Sequence, residues 1–155
     1  MRNDSSYKSY LEQIQQPAGW FDFAVTVVRM MALNARDGED HAFLHEAGQH
    51  IAEIYPLPKA KGLEDLSIAM NSRLDAFKWG KLEITDSGDS LALHHLCMPA
   101  VADPAAQSVW QNSFVWVLCG LYAAWLRQSG APADLSIAPE KIIPPDEAVF
   151  RLRRI

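Results

Sequence analysis

The chain has 155 residues, with 14 Lys and Arg against 19 Asp and Glu, so its formal net charge is −5. This length suits one domain, and a hydrophobic content of 49% argues against disorder. The acidity argues against a surface for nucleic acid or anionic membranes, and two cysteines are too few for a disulfide scaffold or a thiolate zinc site.

The first 34 residues contain one helical pattern and one ambiguous segment. Ser5 to Gln16 is polar with apolar residues at helical spacing, and Pro17 ends it. Trp20 to Asn34 begins with strand-like alternation but is long and ends in good helix formers, so we favour a helix. No signal-peptide core and no run long enough to span a membrane is visible, which predicts a cytoplasmic protein that does not cross the membrane.

The middle of the chain gives firmer predictions. Apolar residues recurring at intervals of three and four predict a helix over Asp40 to Ile54, with Asp40 as the N-cap, and a second over Leu63 to Phe77. After Gly80 the period changes to two, which predicts a β-hairpin over residues 81–96 around a turn at Asp86 to Asp89.

A Pro/Ala linker over residues 99–106 precedes the most apolar element, Val109 to Leu126, whose apolar residues surround the helix. Such a helix is buried on more than one side, and we expect part of it to meet a second copy of the chain. Gly120 in mid-helix costs about 1 kcal/mol relative to Ala. Close helix approach, either within the protomer or across a dimer, would compensate for this cost, and the alternative is that the glycine is merely tolerated. The expected oligomer interface consists of Trp116, Gly120, Ala123 and Ala124.

Short strands at 135–138 and 148–152 complete the pattern. The order of elements predicts one α+β domain over residues 1–155, with helices packed on a small antiparallel sheet made of the hairpin and these two strands.

No catalytic, cofactor or metal site is predicted. His45 and His50 lie about 140° apart on a helix and cannot share a metal, whereas His41 and His45 could but lack a visible third ligand. His94 and His95 are adjacent in a predicted strand, so their side chains point to opposite faces of the sheet. This argues against a joint catalytic role. Spacing along the sequence does not detect a site that is assembled from residues far apart in the chain.

Three patterns in order resemble a family encoded in bacterial cellulose synthase operons, the BcsD family, over about Phe43 to the C-terminus. They are the helix Leu44 to Ala52 closed by Tyr55-Pro56, then Asn71 to Leu74 followed by Trp79-Gly80, then Val117 to Trp125. The chain departs from the family in having Cys119 where an acidic residue is common. The positions that match the pattern, for which we expect structural roles, are Glu46, Gly48, Pro56, Asn71, Trp79, Gly80, Leu121, Tyr122 and Trp125.

The resemblance implies a non-catalytic accessory protein that forms a ring of dimers, typically an octamer. Its partners would be proteins of the inner-membrane cellulose synthase complex and nascent β-1,4-glucan chains. A neutral glucan ribbon suits aromatic faces among neutral polar groups, so we place the glucan-contacting surface at Tyr7, Tyr10 and Trp20; the alternative is that these aromatics are incidental. Two other functions stay open: a small-molecule-binding domain with a pocket between the apolar helix and the sheet, and a scaffold protein that does not touch glucan.

Overall fold

The computed structural model describes Ser6, Tyr10 and residues 15–154. Most of the helix predicted over Ser5 to Gln16 lies outside the described residues, and so does Tyr7. The elements are α1 (Trp20–Asn34), α2 (Glu39–Ile54), α3 (Leu63–Phe77), β1 (Lys81–Asp86), β2 (Leu91–Leu96), α4 (Pro104–Gln128), β3 (Leu135–Ile143) and β4 (Glu147–Arg154). The predicted α+β class is confirmed.

Most predicted elements are present, and the differences lie at their ends. The ambiguous first segment is helical, and the bounds of α3 are those predicted. α2 begins behind Gly38, so Asp40 lies in the first helical turn and is not the N-cap. The linker predicted over residues 99–106 is too long, because α4 already begins at Pro104. The first position of a helix tolerates the fixed φ and the missing N–H of proline. Both C-terminal strands are longer than expected.

The four strands form one antiparallel sheet in the order β1-β2-β4-β3. Alternate side chains of β2 and β4, including Leu93 and Phe150, are fully buried in the core beneath the helices. His95 is also buried, whereas His94 is half-exposed and its Nε2 lies 3.0 Å from Oε2 of Glu147. The two adjacent histidines therefore leave opposite faces of the sheet, as the strand period predicted.

The central helix α4 is covered largely by its own chain. Fifteen of its 25 residues are buried, and the helix packs against α2, α1 and the sheet. Its own chain therefore buries more of this helix than the sequence suggested, and the expectation that part of it meets a second copy of the chain stays a prediction. A domain of this size can bury a helix that is apolar on every side when the helix lies between other helices and the sheet.

Two glycines bring α2 and α4 together. A methyl group on Gly120 would overlap the carbonyl oxygen of His45, and one on Gly48 would overlap the carbonyl oxygen of Val117. Each glycine thus faces the backbone of the opposite helix. Of the alternatives for Gly120, the structure shows the contact within the protomer, so its assignment to the oligomer interface is corrected.

Candidate functional site

The corner between α3 and the hairpin is held by a buried histidine. The Nε2 of His95 donates to the carbonyl oxygen of Trp79 at 2.8 Å, which leaves Nδ1 as the acceptor for the hydroxyl of Tyr122. Burial lowers the pKa of His95 to about 4 and raises that of Tyr122, so both groups are neutral near pH 7. The pair joins the sheet to α4 through neutral hydrogen bonds.

Gly80 permits this corner to close. Its φ is 117°, a conformation that favours glycine, and a side chain there would overlap the carbonyl oxygen of Leu96. The preceding ring, Trp79, packs edge-on against Phe114 of α4 with centroids 5.0 Å apart. The half-buried Trp79 is therefore a packing residue, as the sequence suggested, and not an open sugar platform.

The C-terminal end of α2 is capped by side chains of α4. The indole nitrogen of Trp125 donates to the carbonyl oxygen of Tyr55 at 2.9 Å, and the amide of Gln128 donates to Ala52 at 3.1 Å. The guanidinium of Arg73 donates to the carbonyl oxygen of Pro56 at 2.6 Å. The bonds from Trp125 and Gln128 satisfy carbonyl groups that a helix end leaves without partners, and the bond from Arg73 of α3 holds the residue that follows the C-cap.

Asn71 pairs with the edge of the sheet as a neighbouring strand would. Its side-chain oxygen accepts from the backbone N–H of Leu82 at 2.8 Å, and its side-chain nitrogen donates to the carbonyl oxygen of Leu82 at 2.9 Å. One side chain of α3 thereby protects the exposed edge strand β1, where unpaired backbone groups invite association.

Two buried glutamines, which the sequence analysis did not single out, join α4 to the β3–β4 turn. Gln107 donates to the carbonyl oxygen of Pro145 at 2.8 Å and accepts from the backbone N–H of Val101. Gln111 donates to the carbonyl oxygens of Ile143 and Glu147. The sequence does show these two glutamines four residues apart on a largely apolar helix. This spacing places both amides on one face of the helix, which could have indicated a buried polar contact.

Eight of the nine family-pattern positions thus have a visible packing or bonding role. Leu121 is fully buried beside Gly48, and the others make the contacts described above. Glu46 is the exception, because its carboxylate is exposed and only approaches His50 at 3.7 Å.

The expected interface and glucan residues are scattered. Trp116 is half-buried and stacks on His41 at 4.7 Å between ring centroids, while Ala123 and Ala124 are half-exposed on α4. Tyr10 is half-buried, with Lys81 Nζ 4.9 Å from its ring centroid. Trp20 is 77% exposed at the start of α1.

An apolar stripe on α1, which the sequence analysis did not assign to an interface, is open to solvent. No residue of α1 is buried, although Phe21 packs edge-on against Trp110 of α4. The outward face carries large apolar side chains with exposed fractions between 40% and 77%, namely Trp20, Phe23, Val27, Met30 and Leu33. We call these five residues the α1 stripe. Contiguous exposed apolar side chains of this size mark interaction surfaces.

Within the described residues, no group of three or more His, Cys, Asp and Glu side chains is placed to hold a metal ion. The buried thiol of Cys119 has its pKa raised to about 12 by burial, and it packs 3.6 Å from the carbonyl oxygen of Ile137. None of the helices in the described part of the chain is long and apolar enough to cross a membrane.

These features define an α+β fold whose family-pattern residues chiefly hold its helices and sheet together. A family model that describes the D subunit of cellulose synthase matches residues 6–153, so the chain belongs to that family. The role in bacterial cellulose synthesis follows from this membership.

No curated protein matches the sequence. Among solved structures, the chain is similar to trafficking protein particle complex subunit 3 from Naegleria fowleri covalently bound to palmitic acid. The similarity has a TM-score of 0.43 and 12% identity, over 84% of this chain and 82% of that one.

Proposed function

We propose that this chain is a non-catalytic accessory subunit that assembles as a homo-oligomer and organises nascent β-1,4-glucan chains during cellulose synthesis. Family membership supplies the process. The family resemblance supplies the ring of dimers and the octamer. The single structural observation that carries the proposal is the α1 stripe, because it offers an apolar surface that the protomer leaves uncovered.

The buried polar groups support a structural role over a catalytic one. His95, Gln107 and Gln111 are each at least 95% buried, and the hydrogen bonds they form run to backbone or side-chain groups of neighbouring elements. Such groups fix the arrangement of α4 and the sheet, as satisfied buried polar networks do.

The α1 stripe replaces α4 as the proposed centre of assembly. Its five residues recur at intervals of three and four along a 15-residue helix, so they share one face. Trp116, Ala123 and Ala124 remain half-exposed on α4 and stay in the proposal only as residues at the rim of an assembly.

Glucan contact through Tyr7, Tyr10 and Trp20 remains part of the proposal. Trp20 is exposed in the protomer and is the N-terminal residue of the α1 stripe, so we propose that it lies at the edge of the assembly surface, next to the N-terminal segment. Deleting residues 1–16 should leave the oligomer intact and reduce cellulose yield or crystallinity in cells. Full restoration of a null strain by the truncated protein would remove this element of the proposal.

The proposal as a whole is tested by mass and by complementation. Light scattering of the pure protein should give a mass several times that of the 17.3 kDa protomer. The gene should restore cellulose yield or crystallinity to a strain that lacks it, and the pure protein should release no reducing sugar from cello-oligosaccharides, because glycoside hydrolysis generally needs two placed carboxyl groups. A monomer at micromolar concentration, or hydrolysis abolished by one Asp or Glu substitution, would contradict the proposal.

A further inference from the structure

A continuous groove follows the joint between α2 and α4. One part has a volume of about 210 Å³ and is lined by His45, Gln49 and Arg127 among others. The adjoining part has a volume of about 390 Å³ and reaches Glu53. Both parts share Gln49, Ala123 and Arg127, so one groove runs along the surface over a floor that includes Ala123 and Ala124.

Three polar side chains of this groove are unused by the fold. His45, Gln49 and Arg127 form no side-chain hydrogen bond or ion pair with the described part of the chain. This distinguishes them from Gln128 at the same groove, whose amide is committed to Ala52, and from the buried glutamines of α4. His45 and Gln49 are also half-buried at the joint between the two helices.

The chemistry of these groups suits a neutral ligand with many hydroxyls. Burial lowers the pKa of His45, so its imidazole is neutral near pH 7 and, like the carboxamide of Gln49, can both donate and accept. A hydroxyl group also donates and accepts, whereas a carboxylate only accepts. Arg127 and Glu53 both line the groove, so it carries one cationic and one anionic side chain, and Glu53 also lies 3.4 Å from Nδ1 of His50.

The shape of the groove suits an extended chain. His45, Gln49 and Glu53 follow one another at intervals of four residues on α2, about 6 Å apart along the helix axis. This interval is comparable to the length of one sugar unit in an extended β-1,4-linked chain. The alanine floor has no polar side-chain atom, and it can pack against the C–H face of a flat sugar ring.

We propose that the groove between α2 and α4 binds a segment of a single β-1,4-glucan chain, with His45, Gln49 and Arg127 hydrogen-bonding its hydroxyl groups. The inference rests on the proposed function and deepens it by naming a glucan site on the folded body of the protein, apart from the N-terminal segment.

The test uses the full chain and cellohexaose in isothermal titration calorimetry. The double variant Gln49→Ala with Arg127→Ala should bind cellohexaose about tenfold more weakly than the wild type, since it loses one or two hydrogen bonds. The matched control is Glu39→Ala with Glu46→Ala, which removes two exposed side chains of the same helix that do not line the groove. The control should bind like the wild type, and all three proteins should share one oligomeric mass and one denaturation midpoint.

The alternatives give different results. Wild-type affinity in the double variant, or absence of cellohexaose binding by the wild type, would overturn the groove site. Displacement of cellohexaose by inorganic phosphate at low millimolar concentration would also overturn it, because Arg127 would then belong to an anion site. The groove site can fail while the gene still restores cellulose production to a null strain, so its failure is distinguishable from that of the proposed function.

Discussion

α4 and α1 are the two most apolar helices of the protein, and their environments are opposite. α4 is apolar on every side, yet it is covered by α2, α1 and the sheet of its own chain. α1 contains charged residues and has no buried side chain, yet it presents the uncovered α1 stripe. The comparison shows that the proportion of apolar residues, which is higher in α1, does not identify the buried helix, whereas their distribution around the whole circumference of α4 does.

The largest effect on protomer stability should follow from Gly120→Ala. A methyl group there overlaps the backbone of His45, which cannot move aside as a flexible side chain could. We expect the free energy of unfolding to fall by about 3 kcal/mol or more, against a gain of about 1 kcal/mol from helix propensity alone. Urea denaturation checks this. A variant that stays fully stable but dissociates would instead place Gly120 between protomers and reverse the comparison.

His95, the buried hydrogen-bond partner of Tyr122, should make the protomer sensitive to acid. The pKa of His95 is near 6.5 in the unfolded chain and about 4 in the folded one. Between these values the unfolded state binds more protons. The contribution of His95 to stability is therefore complete above pH 6.5 and is lost as the pH falls towards 4, by about 3 kcal/mol in total.

Urea denaturation at pH 7.5 and pH 4.5 measures this loss. The variant His95→Gln cannot titrate at this position and should show a smaller difference between the two pH values. An equal difference in both proteins would assign the acid sensitivity to other groups.

A smaller loss should follow from Trp125→Phe, which removes the indole donor to Tyr55 and keeps an aromatic ring in the core. We expect a loss of about 1 kcal/mol in the free energy of unfolding, the usual net value of one hydrogen bond. Thermal denaturation measured by circular dichroism can detect it. An unchanged midpoint would mean that water replaces the indole at the end of α2.

The smallest effect on the protomer, with the largest effect on assembly, should follow from changing the α1 stripe. The double variant Phe23→Gln with Met30→Gln replaces two side chains that are 62% and 59% exposed, so the protomer should keep its stability while the oligomer dissociates. Thr26→Gln, at an exposed polar position of the same helix, is the control and should assemble normally. Light scattering distinguishes the two, and an intact oligomer in the double variant would show that α1 is not the interface.

Local patterns in the sequence determined the class of fold and most of its elements. The period of three to four in α2 and α3 and the period of two in the hairpin were sufficient, because each describes which side of an element meets the core. The three family patterns could also be recognised in the sequence, and the match of the family model over residues 6–153 confirms the resemblance.

Only the tertiary structure decided what covers each apolar face and where each polar group finds its partner. The sequence showed Gly120 and an all-round apolar helix, but whether α2 or a second protomer lies against it depends on packing between segments that are about 70 residues apart. The pairing of His95 with Tyr122, of Asn71 with Leu82 and of Gln111 with the β3–β4 turn has the same origin. Such contacts depend on distances between elements, and no period within one element encodes them.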